Sequence, residues 1–172
     1  MKFEKNYVRD NILNNKEIVQ AIDNNDFETA FTLCDSGKKV ANLAWALTVA
    51  GIKFLNYMTY VPDAMFMTNE NLSAIDIPEN IKRIGEAAFA GCSNLEYVTL
   101  HEGLEKIEEN AFTGCSKLKE ITLPSTIKYL EENCLGKATV YMPSNLTNNI
   151  DMWGNITKGK VINKDTNEVI KE

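Results

Sequence analysis

The sequence predicts an α/β solenoid, a short array of strand-containing repeats with a helical cap at its N-terminal end and a second cap at its C-terminal end. One observation is a doublet: AFAGCSNLEYVTL at residues 88–100 recurs as AFTGCSKLKEITL at 111–123, an offset of 23 residues. Another is an alternation of apolar and polar residues at the same offset, which is typical of short strands. Self-similarity at a fixed period of this length indicates structural units that stack on one another.

The repeat array is predicted to span residues 52–143. Units align without gaps at 75–97, 98–120 and 121–137, and a strand-like TVYMP follows at 139–143. A more degenerate unit precedes them at 52–74. It carries apolar residues on the columns that hold large apolar residues in the later units: Met58, Val61, Phe66 and Leu72.

Each unit follows one physical plan, which the unit at 75–97 illustrates. Its strand stops at Pro78, because proline has no N–H to donate to a ladder. A turn then carries Ile81 and Ile84 inward, a short helical turn buries Phe89, and Gly91 ends that turn in a left-handed conformation. Burying the apolar side chains of one unit stabilises it by less than ordering its backbone costs. The units must therefore stack and share apolar faces, and both ends of the stack need caps.

The two ends of the chain are predicted to lie outside the array. Residues 1–51 show apolar residues at helical spacing, including a helix at about Lys16 to Asp23, and would either cap the solenoid or form a partner-binding head. Residues 144–172 would close the other end. The stretch around 164–167 favours a small hairpin or a frayed tail. The predicted organisation is an N-terminal helical segment at 1–51, a solenoid at 52–143 and a cap with a tail at 144–172.

The best-preserved unit, IDIPENIKRIGEAAFAGCSNL at residues 75–95, resembles the motif of BspA-like leucine-rich repeats. That motif reads L-x-x-I-x-L-P-x-x-I-x-x-I-G-x-x-A-F-x-G-C-x-x-L, and the unit fits it almost letter for letter. The resemblance implies a right-handed solenoid with a parallel sheet of short strands on one face. It also implies a binding protein, because the family is known mainly for binding proteins, often at bacterial or protist surfaces. The family also occurs in phage and mobile-element proteins. Its arrays often finish with a strand that ends in proline, then a helix and a tryptophan, which implies that Trp153 is the lid of the last coil.

Few residues could form a disulfide, bind a metal ion or take part in catalysis. Cys92 and Cys115 occupy one repeat column, where neighbouring thiols could meet disulfide geometry or attract a metal. The chain has one histidine and no C-x-x-C pair, so buried core thiols are the favoured interpretation. That histidine, His101, replaces the proline of the motif and stands beside Glu102, with no signal of a nucleophile or a pocket. The carboxylate pairs at 108–109 and 131–132 recur at the repeat spacing, which indicates exposed loop positions. We therefore predict no enzymatic activity, no catalytic residue, no metal site and no cofactor.

The charge distribution limits the kinds of molecule that the protein could bind. The net charge is −6, and residues 61–143 hold seven basic against thirteen acidic side chains. An acidic surface repels nucleic-acid backbones, so we expect no direct nucleic-acid binding and favour a partner with a basic surface or a plain solvated face. The longest apolar-leaning run, 40–55, is too short and too interrupted to cross a bilayer, so no membrane contact is expected. The N-terminus shows no apolar h-region, so a cytoplasmic location is expected.

The outward side chains of the strands form the candidate binding surface, because residues between the buried positions of a strand point to the outer face. Tyrosine is enriched at protein interfaces, but the pattern fits a binding surface and a plain solvated sheet about equally well. We name this set the outer strip: Asp76, Tyr97, Thr99, His101, Glu102, Glu120, Thr122 and Tyr141.

The predicted function is a non-enzymatic protein–protein interaction module that binds another protein through the outer strip or through the N-terminal helices. An alternative is an inhibitor encoded by a phage or mobile element, of an anti-defence or anti-CRISPR-like kind. Such a protein would block a basic, nucleic-acid-binding surface of a host protein. Its motivation is the small size of the chain and the confinement of the net negative charge to the repeats.

Overall fold

The repeats fold into a parallel β-solenoid in which each coil crosses two sheets. The computed structural model describes residues 16–24, 26, 29, 33, 55–149 and 154–172. Strands of neighbouring coils pair in parallel at the 23-residue spacing of the sequence repeat, as Ala74 does with Tyr97 and Ile84 with Ile107. The predicted repeat architecture is therefore confirmed.

The first sheet consists of two-residue strands, where the sequence predicted only a turn. Neighbouring strands pair in parallel, in the order in which they occur along the chain. This additional sheet was not predicted, because two residues are too few to show an alternating pattern. The strands are β1 (Tyr60–Val61), β3 (Arg83–Ile84), β5 (Lys106–Ile107) and β7 (Tyr129–Leu130).

The second sheet contains the longer strands that the alternating pattern predicted, but it is interrupted. β2 (Ala74–Asp76) pairs with β4 (Tyr97–Thr99), while β6 (Glu120–Thr122) pairs with β8 (Thr139–Met142). β4 and β6 lie side by side, and the structure describes both completely, yet no strand pairing joins them. The continuous sheet that the repeat implies is therefore split into two parts.

The core between the two sheets is a stack of matching apolar columns. Phe66, Phe89 and Phe112 stack with ring centroids 5.2 and 5.0 Å apart and interplanar angles of 4° and 5°. All three rings are buried. Because Phe66 comes from the degenerate unit at 52–74, the assignment of that unit to the array is confirmed, and Val61 pairs with Ile84 as the alignment predicted.

The start of the described array is closed by a short helix and by one asparagine. A 3₁₀ helix spans Leu55–Tyr57, directly before the first strand. Asn80, in the next coil, donates from Nδ2 to the carbonyl of Leu55 at 2.8 Å and also to the carbonyl of Met58. The side chain therefore satisfies carbonyls that no strand reaches.

The segment expected to form a short helical turn is a run of hydrogen-bonded turns instead. The N–H of Ala88 donates to the carbonyl of Gly85 at 3.2 Å, and the N–H of Ala90 to the carbonyl of Ala87 at 3.0 Å. Ala87 has a φ of 52°, and the equivalent Asn110 has a φ of 58°. A left-handed residue cannot continue a right-handed helix, so the prediction of a helical turn was wrong.

Gly91 and Gly114 allow neighbouring coils to approach closely at the end of this segment. Their φ angles are 73° and 79°, which confirms the predicted left-handed conformation. A Cβ atom on Gly114 would lie 3.2 Å from the Cα of Gly91, closer than an ordinary van der Waals contact. Glycine is therefore required here both for its backbone conformation and for its lack of a side chain.

The two ends of the array are described in part. Helix α1 (Lys16–Asp23) lies where a helix was predicted, and most other residues of the predicted helical segment fall outside the described residues. At the other end, a 3₁₀ helix at Ser144–Asn149 follows β8. β9 (Val161–Asn163) pairs in parallel with β8 and forms an antiparallel hairpin with β10 (Val169–Lys171), so the predicted hairpin is confirmed. Trp153, the predicted lid, lies outside the described residues.

The left-handed φ of Ala87 can be tested by substitution. Ala87→Asn should raise the free energy of unfolding by about 0.5–1 kcal/mol, because asparagine tolerates a left-handed φ better than alanine does. Urea unfolding followed by circular dichroism measures the change. Ala90→Asn is the matched control, since Ala90 lies in the same turn without a positive φ. An Ala87→Asn chain no more stable than this control would contradict the assigned corner geometry.

Candidate functional site

The outer strip lies on the solvent face of the second sheet. Asp76, Thr99 and Thr122 are exposed, while the strand residue that precedes each of them packs toward the core. Tyr97 is 69% exposed, and Tyr141 at the far end of the strip is half-buried. The predicted outward direction of these side chains is therefore confirmed, and their role in binding remains a prediction.

Two residues of the outer strip meet across neighbouring coils. Nε2 of His101 lies 2.6 Å from Oδ1 of Asp76, with the His101 side chain 35% exposed. Within the described part of the chain, no serine, cysteine or lysine side chain hydrogen-bonds to either residue. An exposed pair of this kind adds about 0–1 kcal/mol to stability. The pair therefore acts as a link between coils and has no nucleophile to activate.

Glu102 forms a second link between coils. Its carboxylate accepts hydrogen bonds from the backbone N–H and the hydroxyl of Ser125, both at 2.9 Å. The bond from the backbone N–H is the main cause that lowers the pKa of Glu102, and the Ser125 hydroxyl, Thr126 and the charge of Lys164 lower it further. This carboxylate is thus already occupied within the chain.

A cleft divides the outer strip where β4 and β6 part. Its volume is about 510 Å³, and the two strands form its walls. Val98 on the β4 side is only half-buried, whereas Ile121 on the β6 side is 2% exposed. The other members of the same column, Ile75 and Val140, are also buried. The parting of the strands therefore opens the apolar column to solvent at Val98.

The backbone of β4 is paired on one side only. The N–H of Tyr97 donates to the carbonyl of Ser73 at 3.4 Å, and the carbonyl of Thr99 accepts from the N–H of Ile77 at 3.0 Å. Polar groups of successive strand residues point to opposite sides of a strand. The backbone groups of Val98 therefore face β6.

The backbone of β6 is paired on the opposite side only. The N–H of Thr139 donates to the carbonyl of Lys119 at 2.8 Å, and the N–H of Leu123 donates to the carbonyl of Tyr141 at 2.9 Å. By the same alternation, the backbone groups of residues 120 and 122 face β4. No backbone hydrogen bond joins residues 96–100 to residues 119–123, all of which are described. Two strand edges thus face each other unpaired across the cleft.

Charged side chains stand at one end of the cleft. Nζ of Lys117 lies 3.6 Å from Oε1 of Glu96, and Nζ of Lys119 donates to the carbonyl of Ser116 at 3.3 Å. The carboxylate of Glu120 has no hydrogen bond or ion pair with any residue that the structure describes. Glu120 therefore faces solvent beside the cleft as an uncompensated charge.

The cysteines of the repeat are core residues. The thiol of Cys92 donates to the carbonyl of Phe66 at 3.0 Å, and the thiol of Cys115 donates to the carbonyl of Phe89 at 3.2 Å. Both are free and buried, and burial raises their pKa values to about 11 and about 12. The favoured interpretation of buried core thiols is confirmed. Among the residues that the structure describes, no cluster of three or more side chains is arranged to hold a metal ion.

The outer face of the first sheet carries a charged ladder that sequence reasoning missed. The guanidinium of Arg83 lies 4.7 Å from the ring centroid of Tyr60 and 2.5 Å from Oε2 of Glu108. Nζ of Lys106 lies 3.0 Å from Glu108 and 2.7 Å from Glu131. These bonds raise the pKa of Lys106, while the bond to Lys106 is the main cause that lowers the pKa of Glu131.

This ladder corrects one prediction about the carboxylate pairs. Glu108, expected to be exposed, has a side chain only 15% exposed, because it lies between Arg83 and Lys106. Glu109, its neighbour, is exposed as expected. The signal that could have found the ladder is the recurrence of Tyr60, Arg83, Lys106 and Tyr129 at the repeat spacing.

One carboxylate per coil lines a corner of the solenoid. Neighbouring coils are hydrogen-bonded there, as in the 3.0 Å bond from the N–H of Ala87 to the carbonyl of Glu109, so the coils follow one another at about 4.8 Å. All members are exposed. We name this set the acidic row: Asp63, Glu86, Glu109 and Glu132.

Helices of the described segments are all too short or too polar to cross a membrane.

Comparison with known proteins gives matches to leucine-rich repeats. A family model described as "BspA type Leucine rich repeat region (6 copies)" matches residues 44–157. No curated protein matches the chain. A leucine-rich repeat protein from Bacteroides ovatus is 28% identical over 49% of this chain and 24% of its own, with a TM-score of 0.45. One from Bacteroides capillosus is 37% identical over 46% of this chain and 59% of its own, with a TM-score of 0.43.

A third similar structure is a leucine rich cell surface protein from Faecalibacterium prausnitzii, 24% identical over 49% of this chain and 24% of its own, with a TM-score of 0.46. The chain therefore spans less than two thirds of the length of each of these three structures.

The bond between Glu102 and Ser125 predicts a pH-dependent contribution to stability. Because the pKa of Glu102 is lowered in the folded chain, its contribution is present above the ordinary carboxyl pKa near 4.5 and is lost as the pH falls through the folded value. Glu102→Gln should lower the free energy of unfolding at pH 7 by less than about 1 kcal/mol, since the carboxylate is exposed.

Urea unfolding at several pH values measures this effect. The difference between the wild type and Glu102→Gln should shrink toward zero as the pH falls below the ordinary carboxyl pKa and through the lowered pKa of Glu102 in the folded chain. Glu79→Gln is the control, because the Glu79 carboxylate has no hydrogen bond to any described residue. A difference that persists or grows in acid would show that the bond to Ser125 is not its source.

Proposed function

Because the chain belongs to the BspA-type leucine-rich repeat family over residues 44–157, we propose that it is a non-enzymatic protein–protein interaction module. Leucine-rich repeat proteins are generally interaction modules, which supports the proposal. The proposed division is a helical segment at 1–51, the recognition solenoid at 52–143 and a cap at 144–172. The proposed partner is another protein, bound without a cofactor.

The outer strip is the proposed binding surface, and the exposure of Tyr97 is the observation that carries the proposal. A tyrosine ring that is 69% exposed on a short paired strand offers a large contact area at low entropic cost. Glu120 lies across the cleft with an uncompensated carboxylate. Asp76, His101 and Glu102 are occupied by links between coils, so we assign them to the support of the strip and direct contact to its centre.

Substituting the centre of the strip tests this function. The triple variant Tyr97→Ala, Thr99→Ala, Glu120→Ala should weaken partner binding about 30-fold or more, because truncation of a central anchor residue costs about 2 kcal/mol or more. A pull-down followed by titration with the purified partner measures the loss. Tyr129→Ala is the matched control, since Tyr129 is 63% exposed on the other sheet. Equal binding by the triple variant and the wild type would exclude the outer strip and favour the N-terminal helices.

We also propose, as a second candidate, an inhibitor of phage or mobile-element origin that covers a basic, nucleic-acid-binding surface of a host protein. The acidic row supports this candidate, because its carboxylates are exposed and follow one another coil by coil. Other carboxylates are less suited: Glu105 lies 2.9 Å from Lys128, and Glu108 is bound by Arg83 and Lys106.

Neutralising the acidic row tests the second candidate. The variant Glu86→Gln, Glu109→Gln, Glu132→Gln should weaken binding of the basic partner about tenfold or more at low salt, since charge complementarity at an exposed surface is screened by ions. Affinity measured at roughly 50 and 500 mM salt should converge for wild type and variant. Glu168→Gln with Glu172→Gln, in the C-terminal hairpin, is the control. Binding that responds neither to the variant nor to salt would remove this candidate.

A further inference from the structure

The cleft between β4 and β6 is open to solvent but too narrow for a further strand. The first sheet holds the same two coils at the spacing of neighbouring strands, through the pair of Lys106 and Tyr129. The space between the strands can therefore take a side chain that enters from outside. We propose that this side chain is an arginine on the surface of the partner protein, held between Tyr97 and Glu120. The inference rests on the proposed interaction function and specifies what the outer strip recognises.

Tyr97 and Glu120 occupy one column of the second sheet. Tyr97 pairs with Ala74 of the preceding strand, and Glu120 pairs with Thr139 of the following strand. The two residues are one repeat apart, so they lie on adjacent coils, and both line the cleft. Tyr97 is 69% exposed and Glu120 is also exposed. An aromatic ring and a carboxylate thus face solvent side by side.

The charges of the cleft leave one carboxylate without a cation. Two glutamates and two lysines line the cleft. Glu96 has Lys117, whose Nζ lies 3.6 Å from its Oε1, and Nζ of Lys119 donates to the carbonyl of Ser116 at 3.3 Å. Glu120 has no hydrogen bond or ion pair with any residue that the structure describes. A cationic side chain is therefore the complement of this carboxylate.

The first sheet of this chain holds an arginine in the arrangement that we propose. Arg83 pairs with Tyr60, and its guanidinium carbon lies 4.7 Å from the ring centroid. The same guanidinium lies 2.5 Å from Oε2 of Glu108 in the next coil. A planar guanidinium can stack on a tyrosine ring while its N–H groups bind a carboxylate, and an ammonium group lacks this geometry. Because Tyr97 and Glu120 offer a ring and a carboxylate on adjacent coils, we expect arginine to bind better than lysine.

The uncharged end of the cleft is the side from which the arginine would enter. Thr99 and Thr122 end β4 and β6 there, away from Lys117 and Lys119. Val98 lines the cleft between the two ends and is half-buried, so it can contact the methylene groups of the arginine stem. The partner therefore needs an arginine on an exposed loop or helix, and no extended backbone is required.

A double-mutant cycle between the chain and an arginine-containing peptide tests the proposal. Peptides are selected on the full chain from a displayed library of random heptapeptides, and isothermal titration calorimetry on synthetic copies measures their affinities. The enriched peptides should share an arginine. Replacing it by citrulline, a neutral analogue of similar shape, should weaken binding about tenfold, because the ion pair and the cation–π contact are both lost. Glu120→Gln should weaken the arginine peptide about threefold or more, and the citrulline peptide by less than about twofold.

Two further variants separate the contacts of the arginine from general effects on the surface. Tyr97→Phe keeps the aromatic ring and should bind the arginine peptide within about twofold of the wild type, whereas Tyr97→Leu should weaken it about threefold or more. Glu168→Gln removes an exposed carboxylate of the C-terminal hairpin and should leave the affinity unchanged.

Equal losses of the arginine and citrulline peptides with Glu120→Gln would overturn the recognition of arginine but leave the interaction function standing. Enriched peptides without a shared arginine, equal affinity with lysine in its place, or a library that yields no binder would also overturn it. Self-association of the chain that Glu120→Gln abolishes would identify a second copy as the occupant and refute the proposed partner. Peptide binding that does not respond to the triple variant Tyr97→Ala, Thr99→Ala, Glu120→Ala would instead exclude the outer strip itself.

Discussion

Main-chain hydrogen bonding between neighbouring coils is the constraint on which the rest of the structure depends. Strands of two or three residues are not stable alone, so each coil keeps its shape only because the next coil repeats it. The N–H of Phe66 donates to the carbonyl of Ala88 at 2.7 Å, and the N–H of Phe89 donates to the carbonyl of Ala111 at 2.8 Å. This fixed offset places ring upon ring and produces the phenylalanine stack. The same offset places the thiols of Cys92 and Cys115 beside a carbonyl of the previous coil.

The parting of β4 and β6 is an exception on one face of otherwise joined coils. Elsewhere the neighbouring coils remain hydrogen-bonded. In the turn segment that carries the stacked phenylalanines, the N–H of Phe112 donates to the carbonyl of Cys134 at 2.9 Å, and on the first sheet the N–H of Glu131 donates to the carbonyl of Ile107 at 3.0 Å. Backbone groups left without a protein partner must bind water or another chain. A break of this kind lowers local stability where the surface is exposed.

The repeat and the outward side of its longer strands could be predicted from sequence, because both follow from residue types that recur every 23 residues. The 23-residue offset and the column of phenylalanine, glycine and cysteine require no tertiary information. The first sheet could not be predicted, because Arg83–Ile84 and its equivalents are too short to alternate. The supposed helical turn failed for another reason. The N–H of Ala87 is bound by Glu109 of the next coil, and that tertiary bond sets a left-handed φ that its helix-favouring composition does not indicate.

The cleft between β4 and β6 could not be predicted from the sequence, for a related reason. EYVTL and KEITL occupy β4 and β6 and their flanks, and both read as ordinary repeat strands. Pairing is a property of two coils, and no local pattern records its loss. The paired Arg83 and Tyr60 were missed likewise, since they come from different units. Columns of residues that recur in every coil were thus predictable, whereas contacts that depend on one particular pair of units were not.

Amide hydrogen exchange measured by NMR on the free chain is the most direct measurement of the parted strands. The amides of Val98, Glu120 and Thr122 should exchange nearly as fast as exposed amides, because they face the cleft. Those of Ile77 and Leu123, which bind neighbouring strands, should be protected roughly 100-fold or more. Equal protection of the two sets would mean that β4 and β6 are paired in solution and would contradict the interruption of the second sheet between them.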